Sequence, residues 1–466
     1  MQRDVIIINR IGVLVKYLIM LILFITSCSR VGHVDFDGDL GKNYADDFAY
    51  IIYDTKLHQV VAEQNADVFY SPASIFKLFA NFAALEVLGP DTKFVTNLHI
   101  DGKVEDGVLK GDLILEAGGD TTFFIENLYN LAFAVKERGI SEVSGKLLYY
   151  DGGFINESNI NPNQPSHASY NPSLSALNLN FNSFQVSRDK KGLLTAPSNN
   201  ATAITSVFNK YYTPRYRSNR WHVNKRAKSL LLPVKNSSYY FASELKMVFE
   251  NVGIKVSGVK KISRMPNNTE IVVGYESKSV KEVVKDGLAY SNNLYSEVLL
   301  VHVAKKLGCK LNDLESSALC LQAWYEENYP MMELGRAKFY NGSGLSEDIE
   351  VSPRAVLELL KVAQGKRYGN DYFPSLLPLS GISGTMKDRF VRDPAKIFAK
   401  TGSMDFISAL AGYYYDSDKE YSFVFISNNK ELREGFLGHK VLPKFAAKWR
   451  KDINHKHEDL LLSFVE

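Results

Sequence analysis

Three short motifs in this chain carry side chains that could activate a serine for covalent chemistry. They span Ser74–Lys77 (SIFK), Ser291–Asn293 (SNN) and Lys400–Gly402 (KTG). A serine hydroxyl is a poor nucleophile until a nearby base accepts its proton, and residues three apart on a helix share one face. The first motif therefore predicts a nucleophile, Ser74, and its base, Lys77.

Lys77 can act as a base only when its amine is neutral, so its pKa has to fall from the usual value of about 10.4. Burial or a second cation lowers a lysine pKa by disfavouring the charged form, and Lys400 could be that cation. Lys400 could also bind a substrate carboxylate, with further hydrogen bonds from the hydroxyls of Thr401 and Ser403. Gly402 would let a substrate backbone approach closely.

The spacing S-x-x-K alone does not single out Ser74. The same spacing occurs at Ser187–Lys190, Ser243–Lys246, Ser257–Lys260 and Ser427–Lys430. Ser74 differs because it lies in the first turn of a helix predicted over residues 72–88, where the helix dipole favours developing negative charge. No Ser-His-Asp pattern is evident, and the nine histidines form no H-E-x-x-H or similar cluster, so neither a metal nor a cofactor is predicted.

The remaining patterns predict a mixture of strands and helices around these motifs. Strands are expected over residues 48–53, 58–62, 94–100, 107–109, 112–117, 145–150, 176–186, 397–400, 406–415 and 421–427. Further helices are expected over residues 124–138, 280–287, 293–306, 313–327, 352–364 and 438–451. With 466 residues, 45% of them hydrophobic, the chain is long enough for two or three packed units.

The N-terminus has the pattern of an export signal. Basic residues precede an apolar run over residues 17–25, which ends in the sequence ITSC at Cys28. Residues 1–28 are therefore interpreted as a signal peptide, either of a lipoprotein with its lipid on Cys28 or of the ordinary cleaved kind with an incidental cysteine. The apolar run is too short for a stable spanning helix. The polar residues 29–46 predict a tether to the folded part.

Export also bears on the other two cysteines, Cys309 and Cys320. In an oxidising compartment they form one disulfide or remain two buried thiols, and their separation along the chain does not decide between these alternatives. The formal net charge of +3 gives no reason to expect a nucleic-acid partner. The basic and aromatic segment 198–238 is interpreted as the solvated face of an inserted subdomain rather than as a patch for nucleic acid or cell-wall polymer.

Several sequence blocks resemble those of class C low-molecular-mass penicillin-binding proteins, which are D-alanyl-D-alanine carboxypeptidases and endopeptidases. The blocks are residues 71–77, 175–178, 291–297, 342–346 and 399–403, and the likeness runs from about residue 47 to about residue 448. Serine β-lactamases share the three short motifs. Some 217 positions separate Ser74 from Ser291 (291 − 74), far more than in relatives without insertions, which implies an inserted region.

The resemblance implies an α+β fold, in which a transpeptidase-like or β-lactamase-like domain has an antiparallel sheet flanked by helices and carries a large β-rich insertion. We expect residues 47–94 and 275–466 to form the catalytic domain and residues 95–274 to form two small β-rich domains. The N-terminal pattern adds an expected location in the periplasm, with attachment to the membrane through a lipid anchor if Cys28 is lipidated.

The resemblance also implies how the nucleophile acts. Ser74 would attack the carbonyl of the penultimate D-alanine of a peptidoglycan peptide, Lys77 would take its proton, and Ser291 would pass a proton to the leaving amine. Water would then hydrolyse the acyl-enzyme. β-Lactam antibiotics would acylate the same serine as covalent inhibitors. The competing functions are a β-lactamase or esterase of the same mechanism, and a non-catalytic lipoprotein that binds cell-wall material.

By the same resemblance, other motif residues would bind the substrate. Asn293 would hydrogen-bond the peptide amide, and Lys400 with Thr401 and Ser403 would hold the terminal carboxylate. The backbone N–H groups of Ser74 and Ser403 would form the oxyanion hole.

Two further positions concern the side chain of the substrate. Asp151 resembles an acidic residue that reaches from the inserted region towards the amino end of a diaminopimelate side chain, although a turn aspartate before Gly152 fits the sequence equally well. Glu347 stands where many relatives have an arginine. This difference leaves the recognition of a side-chain carboxylate open, but not the peptidase chemistry.

Overall fold

The computed structural model describes residues 47–188, 194–195, 203–207, 220–224, 229–392, 394–436 and 443–465. The predicted signal peptide with Cys28, the tether 29–46 and about half of the basic segment 198–238 lie outside the described residues. Within those described ranges, no helix is both long enough and apolar enough to cross a membrane.

Strands and helices are numbered here in chain order. The strands are β1 (Asp47–Asp54), β2 (Gln59–Gln64), β3 (Val95–Glu105), β4 (Val108–Glu116), β5 (Glu142–Val143), β6 (Leu147–Tyr150), β7 (Ser183–Arg188), β8 (Leu194–Thr195), β9 (Ala203–Val207), β10 (Arg220–Asn224), β11 (Ser229–Pro233), β12 (Lys255–Val256), β13 (Val259–Lys261), β14 (Glu270–Glu276), β15 (Arg367–Tyr368), β16 (Asp371–Tyr372), β17 (Ile397–Met404), β18 (Ile407–Tyr415) and β19 (Glu420–Asn428). The α-helices are α1 (Lys77–Ala83), α2 (Ile125–Glu137), α3 (Ser237–Asn251), α4 (Val280–Ala289), α5 (Asn293–Lys306), α6 (Leu314–Asn328), α7 (Pro353–Gln364), α8 (Lys430–Phe436) and α9 (Phe445–Val465).

The three motifs lie on or beside an antiparallel sheet of five strands, called the catalytic sheet below. Its strand order is β17-β18-β19-β1-β2, so β1 pairs with a strand from the end of the chain. Successive residues of β1 face opposite sides of the sheet: Ile51 packs in the core that holds α1, α5 and α7, and Ile52 packs in the core that holds Leu461 of α9. Helices therefore cover both faces, as predicted for an α+β domain.

A second sheet is formed by strands between residues 95 and 276, and is called the inserted sheet below. Its main order is β12-β5-β4-β3-β14, with β6 beside β4 and β13 beside β6. The hairpin of β3 and β4 is antiparallel, whereas β5 and β6 pair with β4 in parallel. Helices α2 and α3 share its core through side chains such as Leu131 and Phe241. The region predicted to be β-rich thus also contains two well-packed helices.

Several elements differ from the sequence predictions. The two strands predicted over residues 107–109 and 112–117 form one strand, β4. The neighbouring strand β3 runs past Gly102 and pairs with β4 across the predicted gap, at Gly111. Residues 176–182 are not a strand, since positions 180–182 adopt left-handed backbone angles before β7 begins. The last helix covers 445–465 rather than 438–451 and extends because Leu461 and Val465 pack against the catalytic sheet.

Two features were not predicted or were left open. Helix α3 was missed, although its residues Phe241, Leu245 and Val248 are fully buried at helical spacing and the Asn236 side chain caps its first turn. Cys309 and Cys320 are joined by a disulfide, with Cα atoms 6.3 Å apart. The disulfide links Cys309, which follows the end of α5, to Cys320 in the middle of α6.

Candidate active site

Ser74 lies in a tight turn immediately before helix α1. The turn is a 3-10 segment, Ala73–Phe76, and α1 starts at Lys77. Ala73 adopts a left-handed backbone angle, φ 46°, and its carbonyl oxygen packs against Gly344 so closely that a Cβ on that glycine would lie 2.0 Å away. The predicted helix start is confirmed, although the segment 73–88 is divided between three types of helical turn.

Lys77 is fully buried, and its ammonium makes three hydrogen bonds. It donates to Ser74 Oγ at 2.8 Å, to Asn293 Oδ1 at 2.7 Å and to the main-chain oxygen of Ser343 at 2.7 Å. Burial lowers the pKa of Lys77 to about 7, and the negative charge of Glu297 opposes that fall. The amine can therefore lose its proton near neutral pH while it contacts the serine hydroxyl.

Lys400 is the second buried lysine of the site. Its ammonium donates to Ser291 Oγ at 2.8 Å and to the main-chain oxygen of Thr401 at 2.7 Å. Burial holds its pKa well below the usual range, and the positive charge of Lys77 lowers it further. Ser291 itself sits between α4 and α5 with a left-handed φ of 55°. The three sequence motifs are thus linked by direct contacts through their lysines.

The main chain of β17 packs against the turn that carries Ser74. A Cβ at Gly402 would lie 2.7 Å from the oxygen of Pro72 and 3.2 Å from the amide nitrogen of Ile75, so only glycine fits without displacement. Strand β17 is at the edge of the catalytic sheet, and the Ser403 side chain is exposed. Residues 397–399 of β17 already bond residues 378–380. The edge from Lys400 onwards is therefore the part where an extended peptide can pair with the main chain.

Sequence reasoning assigned no role to Glu297, which is fully buried beneath the site. Its carboxylate accepts the N–H groups of Gly342 at 2.7 Å and Ser343 at 2.9 Å. These bonds hold the turn whose Ser343 carbonyl faces Lys77. The motif block 291–297 ends in this glutamate, and its place in the block is the feature of the sequence that could have indicated a role.

Asn293 is fixed by contacts at both ends of its amide. Its Oδ1 accepts from Lys77, and its Nδ2 donates to the main-chain oxygen of Tyr170 at 2.8 Å. The contact with Tyr170 was missed, because a main-chain carbonyl leaves no side-chain pattern in a sequence.

Asp151 is not joined to this cluster by its own hydrogen bonds. It is buried, and its carboxylate pairs with Lys261 of β13 at 2.5 Å and accepts from Asn156 Nδ2 at 2.8 Å. Glu347 is half-buried after the turn 342–346. Across the described residues, no group of three His, Cys, Asp or Glu side chains could hold a metal ion.

Known proteins resemble this chain over most of its length. "D-alanyl-D-alanine carboxypeptidase DacB" of Haemophilus influenzae is 23% identical over 400 residues, which are 78% of this chain and 81% of that protein. The crystal structure of penicillin binding protein 4 (dacB) from Haemophilus influenzae has a TM-score of 0.74 at 21% identity and covers 89% of this chain and 96% of that one. The same protein is also known in complex with a β-lactam.

A predatory peptidoglycan endopeptidase from Bdellovibrio bacteriovorus has a TM-score of 0.53 at 16% identity and covers 90% of this chain and 93% of that one. These likenesses confirm the predicted penicillin-binding fold. A profile of the family described as D-Ala-D-Ala carboxypeptidase 3 (S13) matches residues 37–448. The chain therefore belongs to this family of serine-type D-Ala-D-Ala carboxypeptidases, as its motifs predicted.

Proposed function

We propose that the protein cleaves D-alanyl-D-alanine peptides of peptidoglycan through an acyl-enzyme on Ser74. The observation that carries this proposal is the 2.8 Å contact between Nζ of the fully buried Lys77 and Oγ of the half-buried Ser74. A neutral lysine amine can accept the hydroxyl proton as Oγ attacks the carbonyl of the penultimate D-alanine. The Oγ–C bond forms, and the carbonyl electrons move onto oxygen.

The tetrahedral intermediate then breaks its C–N bond, and the leaving amine takes a proton. Ser291 relays that proton in this proposal: its hydroxyl gives a proton to the amine and takes one from the Lys400 ammonium, which it contacts at 2.8 Å. The predicted oxyanion hole, formed by the N–H groups of Ser74 and Ser403, is supported by the close packing of β17 on the serine turn. Water then attacks the ester and gives a proton back to Lys400 through Ser291, while Ser74 Oγ leaves and regains the proton that Lys77 holds.

Lys400 and the β17 edge are the proposed site for the terminal carboxylate of the substrate. An arriving carboxylate raises the pKa of a neighbouring lysine, so it would favour the charged form of a Lys400 whose pKa burial lowers. Thr401 is half-buried and Ser403 exposed on this strand, and both hydroxyls can add hydrogen bonds. The amide of Asn293 would bind the peptide.

Penicillin labelling tests the nucleophile directly. We expect a fluorescent penicillin to label the wild-type protein covalently, and Ser74→Ala to abolish labelling. Ser257→Ala is the matched control, because Ser257 belongs to another S-x-x-K sequence and bonds only the Gly145 oxygen in the described contacts. Labelling that survives Ser74→Ala would refute the proposal, and rapid turnover of penicillin would favour a β-lactamase.

The products distinguish the two possible peptidase reactions. Mass analysis of digested muropeptides should show loss of a terminal D-alanine, cleavage of D-alanyl cross-links, or both. If neither product appears, only a cell-wall-binding role remains. The endopeptidase reaction is supported by the likeness to the Bdellovibrio peptidoglycan endopeptidase.

We also propose that the protein works in the periplasm, attached through a lipid on Cys28, and that residues 95–274 are an insertion within a catalytic domain of residues 47–94 and 275–466. The N-terminal sequence pattern supports the location. A Cys28→Ala variant should move from the membrane fraction to the soluble fraction. Unchanged membrane association would contradict the lipid anchor.

A further inference from the structure

Residues 157–174, called the bracket segment here, contact the candidate active site at two points. The main-chain oxygen of Tyr170 accepts from Asn293 Nδ2 at 2.8 Å. The side chain of Asn161 donates to the main-chain oxygen of Leu345 at 2.6 Å. The bracket segment therefore touches both the second motif and the turn that carries the Ser343 carbonyl.

A pair of buried asparagines closes the bracket segment into a fixed loop. The main-chain N–H of Asn161 donates to Asn171 Oδ1 at 2.9 Å, and Asn171 Nδ2 donates to the main-chain oxygen of Asn161 at 2.8 Å. Asn171 is 0% exposed and Asn161 5% exposed. Buried polar networks whose members are hydrogen-bonded specify one conformation, because each alternative leaves a polar group without a partner.

A buried lysine, Lys235, holds this loop from outside it. Its ammonium donates to the main-chain oxygen of Asn171 at 3.1 Å and to the side-chain oxygen of Asn159. Lys235 is 4% exposed, and burial lowers its pKa to about 7. Burying an amine is costly unless hydrogen bonds compensate, so Lys235 is an unusual choice for a position that serves packing alone.

The contact with Tyr170 determines which way the Asn293 amide faces. A carbonyl oxygen can only accept hydrogen bonds, so it selects the Nδ2 end of the amide and turns Oδ1 towards Lys77. Nδ2 carries two hydrogens, and Tyr170 uses one of them. The other remains for a substrate.

We propose that the bracket segment is a wall of the active site and that Lys235 is its positioning residue, which keeps the Tyr170 carbonyl on Asn293. The inference rests on the proposed function, because Asn293 acts there on substrate. Lys235 touches neither Ser74 nor Lys77 in the described contacts; its effect passes through the main chain of Asn171, the residue next to Tyr170.

A double-mutant cycle tests this path. The second-order rate of acylation by a fluorescent penicillin is measured for wild type, Lys235→Met, Asn293→Ala and the double variant. We expect Lys235→Met to slow acylation by roughly tenfold or more, because small misplacements of positioning groups have effects of that size. In the Asn293→Ala background the same change should slow acylation no further.

Lys136→Met is the matched control. Lys136 also lies within residues 95–274 and donates to a main-chain oxygen, that of Val252 at 2.7 Å, but at an exposed position. Its acylation rate should equal that of wild type. If Lys235→Met does not fold, Asn159→Ala removes one acceptor of the ammonium and takes its place in the cycle.

Each outcome decides the proposal. Acylation of Lys235→Met at the wild-type rate would overturn it, as would equal slowing with and without Asn293, which indicates a general loss of structure. If wild-type protein is not acylated at Ser74, the proposed function fails and this inference fails with it. If the wild type is acylated at Ser74 and Lys235→Met is acylated at the same rate, this inference is overturned but the proposed function is not.

Discussion

The catalytic sheet and the inserted sheet are built in different ways. In the catalytic sheet every neighbouring pair is antiparallel, and strands have six to nine residues. The inserted sheet is mixed: β3 and β4 form an antiparallel hairpin of 11 and 9 residues, whereas β5 and β12 have two residues each and pair with each other in parallel. Long strands with a buried face specify their register strongly, whereas short parallel pairs depend on distant connections. The chemistry therefore lies on the sheet in which every pair is antiparallel and no strand has fewer than six residues.

Replacing Lys77 should have the largest effect on the acylation rate, and it should show the clearest contrast between the two sheets. Lys77→Met removes the proposed base, and general bases contribute about 10²- to 10⁴-fold to rate, so acylation by penicillin should fall by that factor. Lys261→Met is the control in the inserted sheet, where the ammonium pairs with Asp151 at 2.5 Å. Its acylation rate should stay near that of wild type. Equal losses in the two variants would remove the contrast.

The second-largest effect should be the pH dependence of acylation, which should follow the protonation of Lys77. Burial lowers the pKa of Lys77 to about 7, so the amine is neutral above that pH and protonated below it. Because a protonated amine cannot accept a proton, acylation should fall about tenfold for each pH unit below 7 and level off above it. Rates measured between pH 5 and 9 check this. A flat profile would contradict a lysine base.

Two glycines with the same backbone angle allow a comparison of packing. Gly344 beside Ser74 and Gly139 after α2 both have φ of 77°, but a Cβ would lie 2.0 Å from the Ala73 oxygen at Gly344 and would meet nothing within 4 Å at Gly139. Gly139→Ala should lower the free energy of unfolding by about 1–2 kcal/mol through its backbone angle. Gly344→Ala should lower it by about 1–3 kcal/mol more and slow acylation. Urea unfolding gives both values, and equal losses would contradict the close contact.

Glu297→Gln removes the charge near Lys77 and also one of the two hydrogen bonds to the turn at Gly342 and Ser343, because a glutamine amide has one acceptor oxygen and its NH2 group only donates. The charge of Glu297 raises the Lys77 pKa, so its removal should lower that pKa and move the acidic limb of the acylation profile to lower pH. Glu282→Gln is the control, because Glu282 also accepts a backbone N–H, from Ser279 at 2.9 Å. Its profile should not move. A limb that shifts to higher pH would contradict the proposed electrostatic role.

The smallest effect should come from Asp151→Asn in the region of the inserted sheet. Asp151 pairs with Lys261 and Asn156 rather than with the Ser74 cluster, so penicillin acylation should change by less than about twofold. Peptides with and without a free side-chain amine should then be compared as substrates. A large loss in acylation itself would place Asp151 in the chemistry and weaken the contrast between the two sheets.

The sequence predicted the catalytic sheet and its motifs because both leave local patterns. Strands β18 and β19 are rich in apolar and aromatic residues, and α4 and α7 carry their apolar residues on one face. Ser74 and Lys77 are close in sequence as well as in space. Their contacts with Asn293 and Ser343 required the resemblance or the fold, since more than two hundred residues separate the partners.

The inserted region was harder to predict for physical reasons. Strands of two or three residues, such as β5 and β13, are too short to show alternation. Helix α3 was missed because its start follows directly on a basic and aromatic stretch. The roles of Glu297 and Tyr170 depend on main-chain partners, which are common to all residues and so leave no trace in residue types.

At Gly402 and Gly344 the main chain packs directly against the main chain of the serine turn, which limits how such an enzyme can change its substrate preference. Main-chain contacts fix the spacing of β17 and of the turn at Gly344 from the backbone around Ser74, so gradual changes in side-chain size cannot adjust that spacing. New substrate preferences must arise from loops that bring side chains to the rim. Homologous enzymes should accordingly differ most in segments like 157–174 and least in the dimensions of the serine turn.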